Sequence, residues 1–346
     1  MEVISVRKIK IINPGLLTTI QDLGRWGYQR YGMSVAGSMD HFSTRVANWL
    51  VGNDENEAVL EATMMSPEIQ FLCDEVISIT GANMKPKING EPVPMWTSLL
   101  VRADDKLSFS ASVSGIRTYI AFSTGIDVPQ IMNSKATFLK GKVGGFEGRK
   151  LAKEDEIPLG NRIIPDSGSY LPIKFNPEYK NNDTIRVVLG PQDDYFSKEA
   201  IDTFLNSEYK ITSEADRMGY RLDGEKIEHI EGADIISDGI VFGSVQVPGH
   251  GSPIIMMADR QTTGGYTKIA TVITPDLSKL AQMKPGGKVK FERVSIEEAQ
   301  KIYREYENKM SDIKSFINDN RFEFRGIRKM NFRIGEKTFN VDIREL

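Results

Sequence analysis

Glycine and proline interrupt this chain of 346 residues too often for long helices to dominate it. The sequence contains 30 glycines and 15 prolines. Short apolar runs lie between turns of Gly, Pro, Asn and Asp, a pattern typical of β-strands. It predicts a mainly β protein of barrel or sandwich type. The clearest predicted strands are Val76–Thr80, Thr118–Ser123, Thr184–Leu189, Ile254–Ala258 and Lys288–Arg293.

The length of the chain suits about two domains. Leu99–Phe109 weakly resembles Leu280–Phe291, and each run is interpreted as a turn followed by a strand, which favours two related halves. The polar, proline-containing stretch Pro165–Asp183 is the best candidate for their junction. We therefore expect an N-terminal domain over residues 1–165, a second domain over residues 184–295 and a tail over residues 296–346.

Three helices are predicted from local signals. Asp40 can cap a helix over His41–Val51, and another helix is expected over Lys198–Leu205. Ser295 begins a capping-box pattern that ends at Glu298, and apolar residues then recur every three or four positions as far as Ile317. This last helix is expected to pack onto its own domain, with a role in binding a partner as the less favoured alternative.

The end of the chain is expected to form a β-hairpin. Apolar and polar residues alternate over Phe332–Ile343, with Gly335 near the turn.

Composition argues against several classes of function. The net charge of −3 gives no electrostatic reason to bind nucleic acid or a lipid surface. No apolar run approaches the length that spans a bilayer. The single cysteine, Cys73, cannot form an intramolecular disulfide, which fits a reducing compartment, so the protein is expected to be cytoplasmic.

Common catalytic and cofactor motifs are missing from the sequence. It has no Walker-type phosphate loop and no Gly-x-Gly-x-x-Gly that opens a helix. Its three histidines stand apart from one another, so no metal site is predicted. His250, between Gly249 and Gly251, is expected to lie in a solvent-facing turn, with a catalytic base as the less favoured alternative.

The first segment rich in polar groups is the glycine-rich stretch 13–40. Its repeated glycines would let the backbone turn tightly or approach a ligand closely. Gln21, Asp22 and Arg25 add an amide, a carboxylate and a guanidinium fork. A surface loop without a binding role is the equally weighted alternative for these three residues, and Asp40 is expected only to cap its helix.

The second polar segment follows the strand Ile254–Ala258. It contains Asp259, Arg260 and Gln261, then Thr262, Thr263, Gly264, Gly265 and Tyr266. We expect a loop here, whose arginine and glutamine could donate hydrogen bonds to the oxygen of a planar amide or ureido group. Donors placed where an oxyanion develops are a major contribution to catalysis in acyl chemistry. A polar hairpin loop without a function is the alternative.

Both segments resemble the allophanate hydrolase subunit 2 family. The resemblance rests on Gly15–Arg25, Gly37–Asp40, Gly144–Arg149, Gly190–Gln192, Asp216–Leu222, Gln246–Pro248 and Asp259–Tyr266, in this order, and it covers roughly residues 12 to 295. The family includes the C-type subunit of 5-oxoprolinase, the antagonist of a sporulation-kinase inhibitor and the carboxyltransferase region of urea carboxylase. We assign the resemblance to the subdomain C and D type of a biotin-dependent carboxyltransferase domain.

The resemblance implies two cyclophilin-like β-barrel domains in tandem, followed by a C-terminal helix and hairpin tail. It implies a subunit of an ATP-dependent 5-oxoprolinase that works with a smaller partner, which would be the B-type subunit of 5-oxoprolinase or a protein like the kinase inhibitor. A third subunit is compatible with this arrangement. ATP with Mg²⁺ would be shared with a partner or bound by it, and this chain carries no biotin-acceptor lysine.

Site roles follow from the resemblance as hypotheses. Arg260 and Gln261 would act on the substrate, with Asp22 and Asp259 as candidate catalytic carboxylates. The substrate would be bound by Gln21, Arg25, Gln246, Thr262, Thr263, Gly264, Gly265 and Tyr266.

One segment departs from the family pattern. Where the family commonly has Gly-Ser-Arg-Ser-Thr, this chain has Asn133–Thr137, with Lys135 in place of arginine and Ala136 in place of serine. Lysine keeps the charge but loses the bidentate fork. If the segment touched substrate, activity would be altered.

Two other functions stay open. A biotin-dependent carboxyltransferase would need the same oxyanion donors around the ureido oxygen of biotin. A non-enzymatic antagonist of a histidine-kinase inhibitor would bind a small partner protein and catalyse no reaction.

Overall fold

Two antiparallel sheets build the N-terminal part of the protein. The computed structural model describes residues 7–324 in full and the backbone of residues 328–334 and 337–343. One sheet has the strand order β11-β1-β4-β9-β6-β7 and the other the order β2-β3-β10-β5-β8, and together we call them the N-terminal sheets. Their strands are β1 Lys8–Asn13, β2 Leu17–Gln21, β3 Val59–Thr63, β4 Glu68–Phe71, β5 Glu75–Asn83, β6 Lys87–Ile88, β7 Glu91–Pro92, β8 Ser98–Val101, β9 Lys106–Ser108, β10 Ser114–Phe122 and β11 Glu156–Pro158.

Alternation along the strands explains how the sheets enclose their core. In β1, Ile9 and Ile11 are fully buried, whereas Lys8 and Lys10 reach towards Glu156 and Glu154 on the outside. Successive side chains of a strand point to opposite faces, so alternating lysine and isoleucine place one face inside. Ile69, Phe71, Ile77, Ile79, Leu107, Ile120 and Phe122 complete this core.

Seven strands of the second part close into a barrel, which we call the C-terminal barrel. The order is β13-β20-β14-β15-β18-β17-β19, and β19 pairs with β13 to close the ring, while β16 adds to the outer edge of β19. The mainly β prediction is confirmed. The strands are β13 Asn182–Leu189, β14 Glu208–Ile211, β15 Gly219–Asp223, β16 Asp234–Gly239, β17 Ser244–Val247, β18 Ile254–Met256, β19 Thr263–Val272 and β20 Lys288–Arg293.

The predicted junction contains β12, Ser167–Ser169, which pairs with β21, Arg321–Glu323, near the end of the fully described residues. The chain thus returns to the junction after its last helix. The limits of the two domains stay a prediction.

Four α-helices lie among the described residues: α1 His41–Leu50, α2 Lys198–Asn206, α3 Thr274–Ala281 and α4 Ile296–Asp319. Asp40 and Ser295 cap α1 and α4 as predicted, by accepting from the N–H groups of Ser43 and Glu298. Helix α3 was not predicted from the sequence, although Pro275 in its first turn is a known start signal. None of the helices in this part of the chain is long and apolar enough to cross a bilayer.

Helix α4 packs mainly against α1 near the N-terminus, and not mainly onto its own C-terminal part as expected. Met310, Ile313 and Ile317 are fully buried in a cluster that contains Val46 and Trp49 of α1. The predicted hairpin is present as β22 Arg328–Ile334 and β23 Lys337–Ile343, which pair antiparallel. The predicted turn at Gly335 lies outside the described residues.

Candidate functional site

The glycine-rich stretch 13–40 folds back on itself. The backbone N–H of Arg25 donates to the carbonyl of Val35 at 2.8 Å. Gly24 and Gly37 meet where the two arms of this fold cross, and a Cβ on Gly37 would lie 2.7 Å from the nitrogen of Gly24. Both residues have positive φ, at 101° and 87°. At these positions glycine permits close contact between two parts of the same segment, rather than the predicted approach to a ligand.

Asp22 is a buried carboxylate whose acceptor positions are used by the protein. Its Oδ1 accepts from Gly24 N and Ser134 Oγ, each at 2.8 Å, and its Oδ2 accepts from Lys135 N at 2.6 Å. The residue therefore fastens the glycine-rich stretch to the segment 131–137. Three protein donors hold this carboxylate, which is 2% exposed, and a role of Asp22 on substrate stays a prediction.

Gln21 and Arg25 hold the same segment. Gln21 Nε2 donates to the carbonyl of Thr137 at 3.1 Å, and Arg25 donates to the carbonyls of Ile131 and Ala136 at 3.0 and 2.7 Å. Both side chains are fully buried, and burial lowers the pKa of Arg25. Neither residue lines the cavity between the glycine-rich stretch, the C-terminal barrel and α4, and their binding roles stay a prediction.

The segment that departs from the family pattern is part of this scaffold. Lys135 Nζ lies 2.7 Å from Glu57 Oε1 and 2.7 Å from the carbonyl of Ile126. Its positive charge is therefore used in a partly buried ion pair, and the substitution acts on the scaffold beneath the cavity rather than on its wall.

The two polar segments come together in the structure. Ser34 Oγ donates to the carbonyl of Arg260 at 2.9 Å, and Arg217 Nη2 donates to the carbonyl of Gly37 at 2.6 Å. Asp259 forms a bidentate pair with Arg217 at 3.1 and 2.8 Å. Burial raises the pKa of Asp259 even though Arg217 opposes the shift. Asp259 thus joins the two segments, and its catalytic role stays a prediction.

A cavity of about 780 Å³ lies between the glycine-rich stretch, the C-terminal barrel and α4. We call it the central cavity. Its volume is within the range of sites that hold small molecules. The residues on its wall include Leu23, Trp26, Gln29, Met39, His41, Arg45, Glu55, Ile240, Val241, Phe242, Arg260, Leu277, Ser278, Ile296, Gln300, Tyr303, Tyr306 and Glu307.

Arg260 is the predicted site residue that lines the central cavity. Its Nε and Nη1 make long hydrogen bonds to the carbonyls of Ile240 and Met257, at 3.3 and 3.4 Å. The guanidinium carbon lies 5.5 Å from the ring centre of Phe242, within cation–π range. Burial lowers the pKa of Arg260 to about 10, so the side chain is still charged at neutral pH.

The other guanidinium on the wall is neutralised. Arg45 Nη1 and Nη2 each lie 3.0 Å from a carboxylate oxygen of Glu307, and Arg45 Nε lies 3.2 Å from Glu55. The positive charge of the cavity is therefore concentrated at Arg260.

His41 is a residue of the site that the sequence analysis missed. It lies on the cavity wall at the first position of α1, and its ring centre is 6.0 Å from that of Phe242. Burial lowers its pKa, so the imidazole is neutral at pH 7. A neutral imidazole can accept or donate a hydrogen bond. The available signal was its position directly after the motif Gly37–Asp40.

The remaining predicted residues do not line the cavity and lie on or beside strands β17 and β19 of the C-terminal barrel. β19 begins at Thr263, so the polar loop predicted over residues 259–266 ends earlier than expected. Gln246 on β17 is buried and donates weakly to the carbonyl of Tyr266 at 3.4 Å, whereas Gln261, Thr263 and Tyr266 are exposed. We call the exposed and partly exposed residues the polar strand face; it comprises Gln261, Thr262, Thr263, Gly264, Gly265 and Tyr266.

The fit to Mg²⁺-ATP is poor for this chain alone. Arg260 could bind one phosphate, but the described residues contain no group of three or more His, Cys, Asp and Glu side chains that could hold a metal ion. Glu55 and Glu307, the carboxylates on the cavity wall, are paired with Arg45. We therefore derive no chemical step through a nucleotide held here.

Fold and site together define a carboxyltransferase-type protein. The profile of the carboxyltransferase domain, subdomain A and B, matches residues 31–293, so the chain belongs to that family. The family agrees with the sequence prediction, but the matching subdomains are A and B in place of C and D.

Two individual proteins are similar to most of this chain. The chain is 38% identical to the C-type subunit of 5-oxoprolinase from Escherichia coli (strain K12), over 85% of this chain and 93% of that one. It is 36% identical to the C-type subunit of 5-oxoprolinase from Haemophilus influenzae, over 90% of this chain and 99% of that one. Among solved structures, the Kluyveromyces lactis urea carboxylase matches 97% of this chain with a TM-score of 0.83 at 26% identity, and this chain spans 32% of its length.

Proposed function

We propose that this chain is a subunit of an ATP-dependent 5-oxoprolinase, a hydrolase that converts 5-oxoproline, ATP and water to glutamate, ADP and phosphate in the cytoplasm. One observation carries the proposal: the chain is similar, at 36–38% identity, to two proteins named as C-type subunits of 5-oxoprolinase, over 93–99% of their length. The central cavity supports it, because it combines a charged donor with apolar walls.

Opening a lactam requires preorganised donors, because amide resonance protects the carbonyl and negative charge develops as the ring opens. Arg260 is the candidate for the charged contact to the substrate, since no carboxylate among the described residues forms an ion pair with it. Neutral His41 is the second candidate, as a hydrogen-bond partner on the same wall. Asp259 and Asp22 take positioning roles, because they fix the backbone on either side of the cavity.

A smaller partner subunit would complete the active enzyme. The polar strand face supports this proposal, because Gln261, Thr263 and Tyr266 are exposed beside β16, whose residues are mostly exposed too. Such a surface can contribute hydrogen bonds to a second protein. The nucleotide and Mg²⁺ would be bound largely by the partner, since the described residues of this chain offer no acidic cluster for the metal.

Carboxyl transfer is the second candidate function. It is favoured by the match to the Kluyveromyces lactis urea carboxylase, which extends over 97% of this chain. In that case the donors would act on the ureido group of biotin carried by another protein.

The test is an assay of the reconstituted complex. The chain is co-expressed with the products of the neighbouring genes, and 5-oxoproline-dependent release of phosphate and glutamate is measured. We expect turnover in the complex and none in the isolated chain. Arg260→Ala should lower kcat/KM by about 100-fold, the usual effect of removing one preorganised donor.

The matched control is Arg102→Ala. Arg102 lies on the N-terminal sheets, its side chain is 64% exposed, and it pairs with Asp74 on the surface. Its loss should leave turnover within about twofold, because exposed pairs contribute little. Urea- or biotin-dependent carboxylation without 5-oxoproline turnover would favour the second candidate and contradict the first.

A further inference from the structure

The unusual feature of the central cavity is a charge without a counterion. Four ionised side chains line it: Arg45, Glu55, Glu307 and Arg260. Arg45 is paired with both glutamates, whereas no carboxylate among the described residues contacts Arg260. Burying an unpaired charge is unfavourable, so an anion that enters the cavity beside this guanidinium is stabilised by it.

The guanidinium of Arg260 is fixed by the protein and keeps one nitrogen available for a ligand. Its Nε and Nη1 donate to two backbone carbonyls, and Nη2 makes no hydrogen bond within the described part of the chain but remains accessible. The ring of Phe242 lies 5.5 Å from the guanidinium carbon and limits the positions that the side chain can take. The planar fork of arginine matches a carboxylate.

The wall around this charge is largely apolar. Leu23, Met39, Ile240 and Leu277 contribute aliphatic surface. An anion with a compact apolar body would bury this surface together with its own, whereas a bare inorganic anion would bury none of it.

We propose that the central cavity binds a small organic carboxylate, whose carboxylate group accepts hydrogen bonds from Arg260 and whose body packs against the aliphatic wall. The inference rests on the proposed function and deepens it, because 5-oxoproline carries one carboxylate on a lactam ring. It assigns Arg260 to the carboxylate of the substrate rather than to the lactam oxygen. Phe242 is a positioning residue that keeps the guanidinium in place.

The test measures binding to the full-length chain by calorimetry with three small molecules and inorganic phosphate. The three small molecules are 5-oxoproline, cyclopentanecarboxylate, which lacks the lactam, and 2-pyrrolidone, which lacks the carboxylate. We expect the two carboxylates to bind at least about tenfold more tightly than 2-pyrrolidone or phosphate, because one charge-assisted fork contributes a factor of this order.

Arg260→Met keeps the length and packing of the side chain but removes the fork. It leaves no carboxylate unpaired, and the carbonyl of Met257 keeps its bond from the backbone N–H of residue 260. The variant should therefore fold, which its melting temperature checks, and bind both carboxylates as weakly as 2-pyrrolidone. Arg102→Met is the control and should bind as the unchanged chain does. Phe242→Leu should weaken the binding of both carboxylates and leave the binding of 2-pyrrolidone unchanged.

Equal binding of 2-pyrrolidone and 5-oxoproline, tighter binding of phosphate, or no measurable binding of either carboxylate overturns the inference. Arg260-dependent binding of carboxylates by a chain whose complex does not turn over 5-oxoproline supports the inference and contradicts the proposed function. If turnover requires Arg260 but the binding of carboxylates does not, the result supports the proposed function and contradicts the inference.

Discussion

Gly144 lies where the segment after residue 131 crosses Arg25, and a larger residue does not fit there. A Cβ on Gly144 would be 2.1 Å from the carbonyl oxygen of Ala136 and 2.6 Å from Arg25 Nη2, at a φ of 71°. Gly144→Ala should lower the free energy of unfolding by more than about 2 kcal/mol, because steric overlap adds to the left-handed penalty of about 1–2 kcal/mol.

The control for this prediction is Gly52→Ala. Gly52 has a φ of 80°, but no atom lies within 4 Å of the position that a Cβ would take, so the backbone penalty acts there without overlap. Urea denaturation of both variants gives the comparison. Equal losses of unfolding free energy in the two variants would show that only the backbone angle requires glycine at position 144. They would also show that a Cβ there causes no steric overlap.

His41 makes stability depend on pH. Burial lowers its pKa in the folded protein below the ordinary value of 6.5, so the unfolded chain takes up the proton first as the pH falls. The stability contributed by the neutral imidazole is present above about pH 6.5 and decreases below it, by at most about 1.4 kcal/mol per pH unit for one proton.

His41→Gln should flatten the fall in unfolding free energy between about pH 6.5 and 5. His250→Gln is the control, because His250 is exposed in its turn, as the sequence predicted. Denaturation curves at a series of pH values measure the slope, and the same slope in His41→Gln and the unchanged chain would contradict the burial of a neutral imidazole.

At the scale of elements, α4 is anchored by its C-terminal half. Ile313 is fully buried against α1, whereas Ile296 at the other end of the helix is 63% exposed beside the central cavity. Ile313→Ala should lower the free energy of unfolding by about 2–5 kcal/mol, the usual loss for a large buried side chain. Ile296→Ala should change it by less than about 0.5 kcal/mol.

Chemical denaturation compares the two variants of α4. Similar losses for both would mean that the helix is held evenly along its length, contrary to the burial pattern. The amphipathic repeat in the sequence identified the helix and favoured packing onto its own domain, with a partner protein as the alternative. Only the tertiary structure placed α1 on its apolar side.

On the scale of the whole molecule, a buried polar network joins the N-terminal sheets to the C-terminal barrel. Glu61 on β3 accepts from Met39 N at 2.7 Å and from Tyr119 OH at 2.9 Å, and it also pairs with Arg217. Arg217 in turn binds Asp259. All these side chains are almost fully buried, so each charge depends on its partner.

Glu61→Gln should destabilise the protein by about 3–5 kcal/mol, because it leaves Arg217 with incomplete compensation in a buried site. The control is Glu208→Gln, which removes a surface pair with Lys288 and should cost less than about 1 kcal/mol. Thermal and urea unfolding measure both. A small effect at Glu61 would show that the two parts are held together mainly by apolar packing.

Local patterns in the sequence determined the elements of this protein. The strand Lys288–Arg293 and the caps at Asp40 and Ser295 were predicted correctly, because turn residues and capping side chains act on neighbours a few positions away. The missed helix α3 is short, with only eight residues in which a repeat can show.

Only the tertiary structure decided what the polar residues do. Arg25 and Arg260 both lie in glycine-containing polar segments, yet one is bound to carbonyls more than 100 positions away and the other faces a cavity without a counterion. Asp22 and Asp259 likewise became scaffold residues through partners distant in the chain. Whether a charge is paired depends on which remote groups folding brings beside it, and the periodicity of a single sequence carries no record of those contacts.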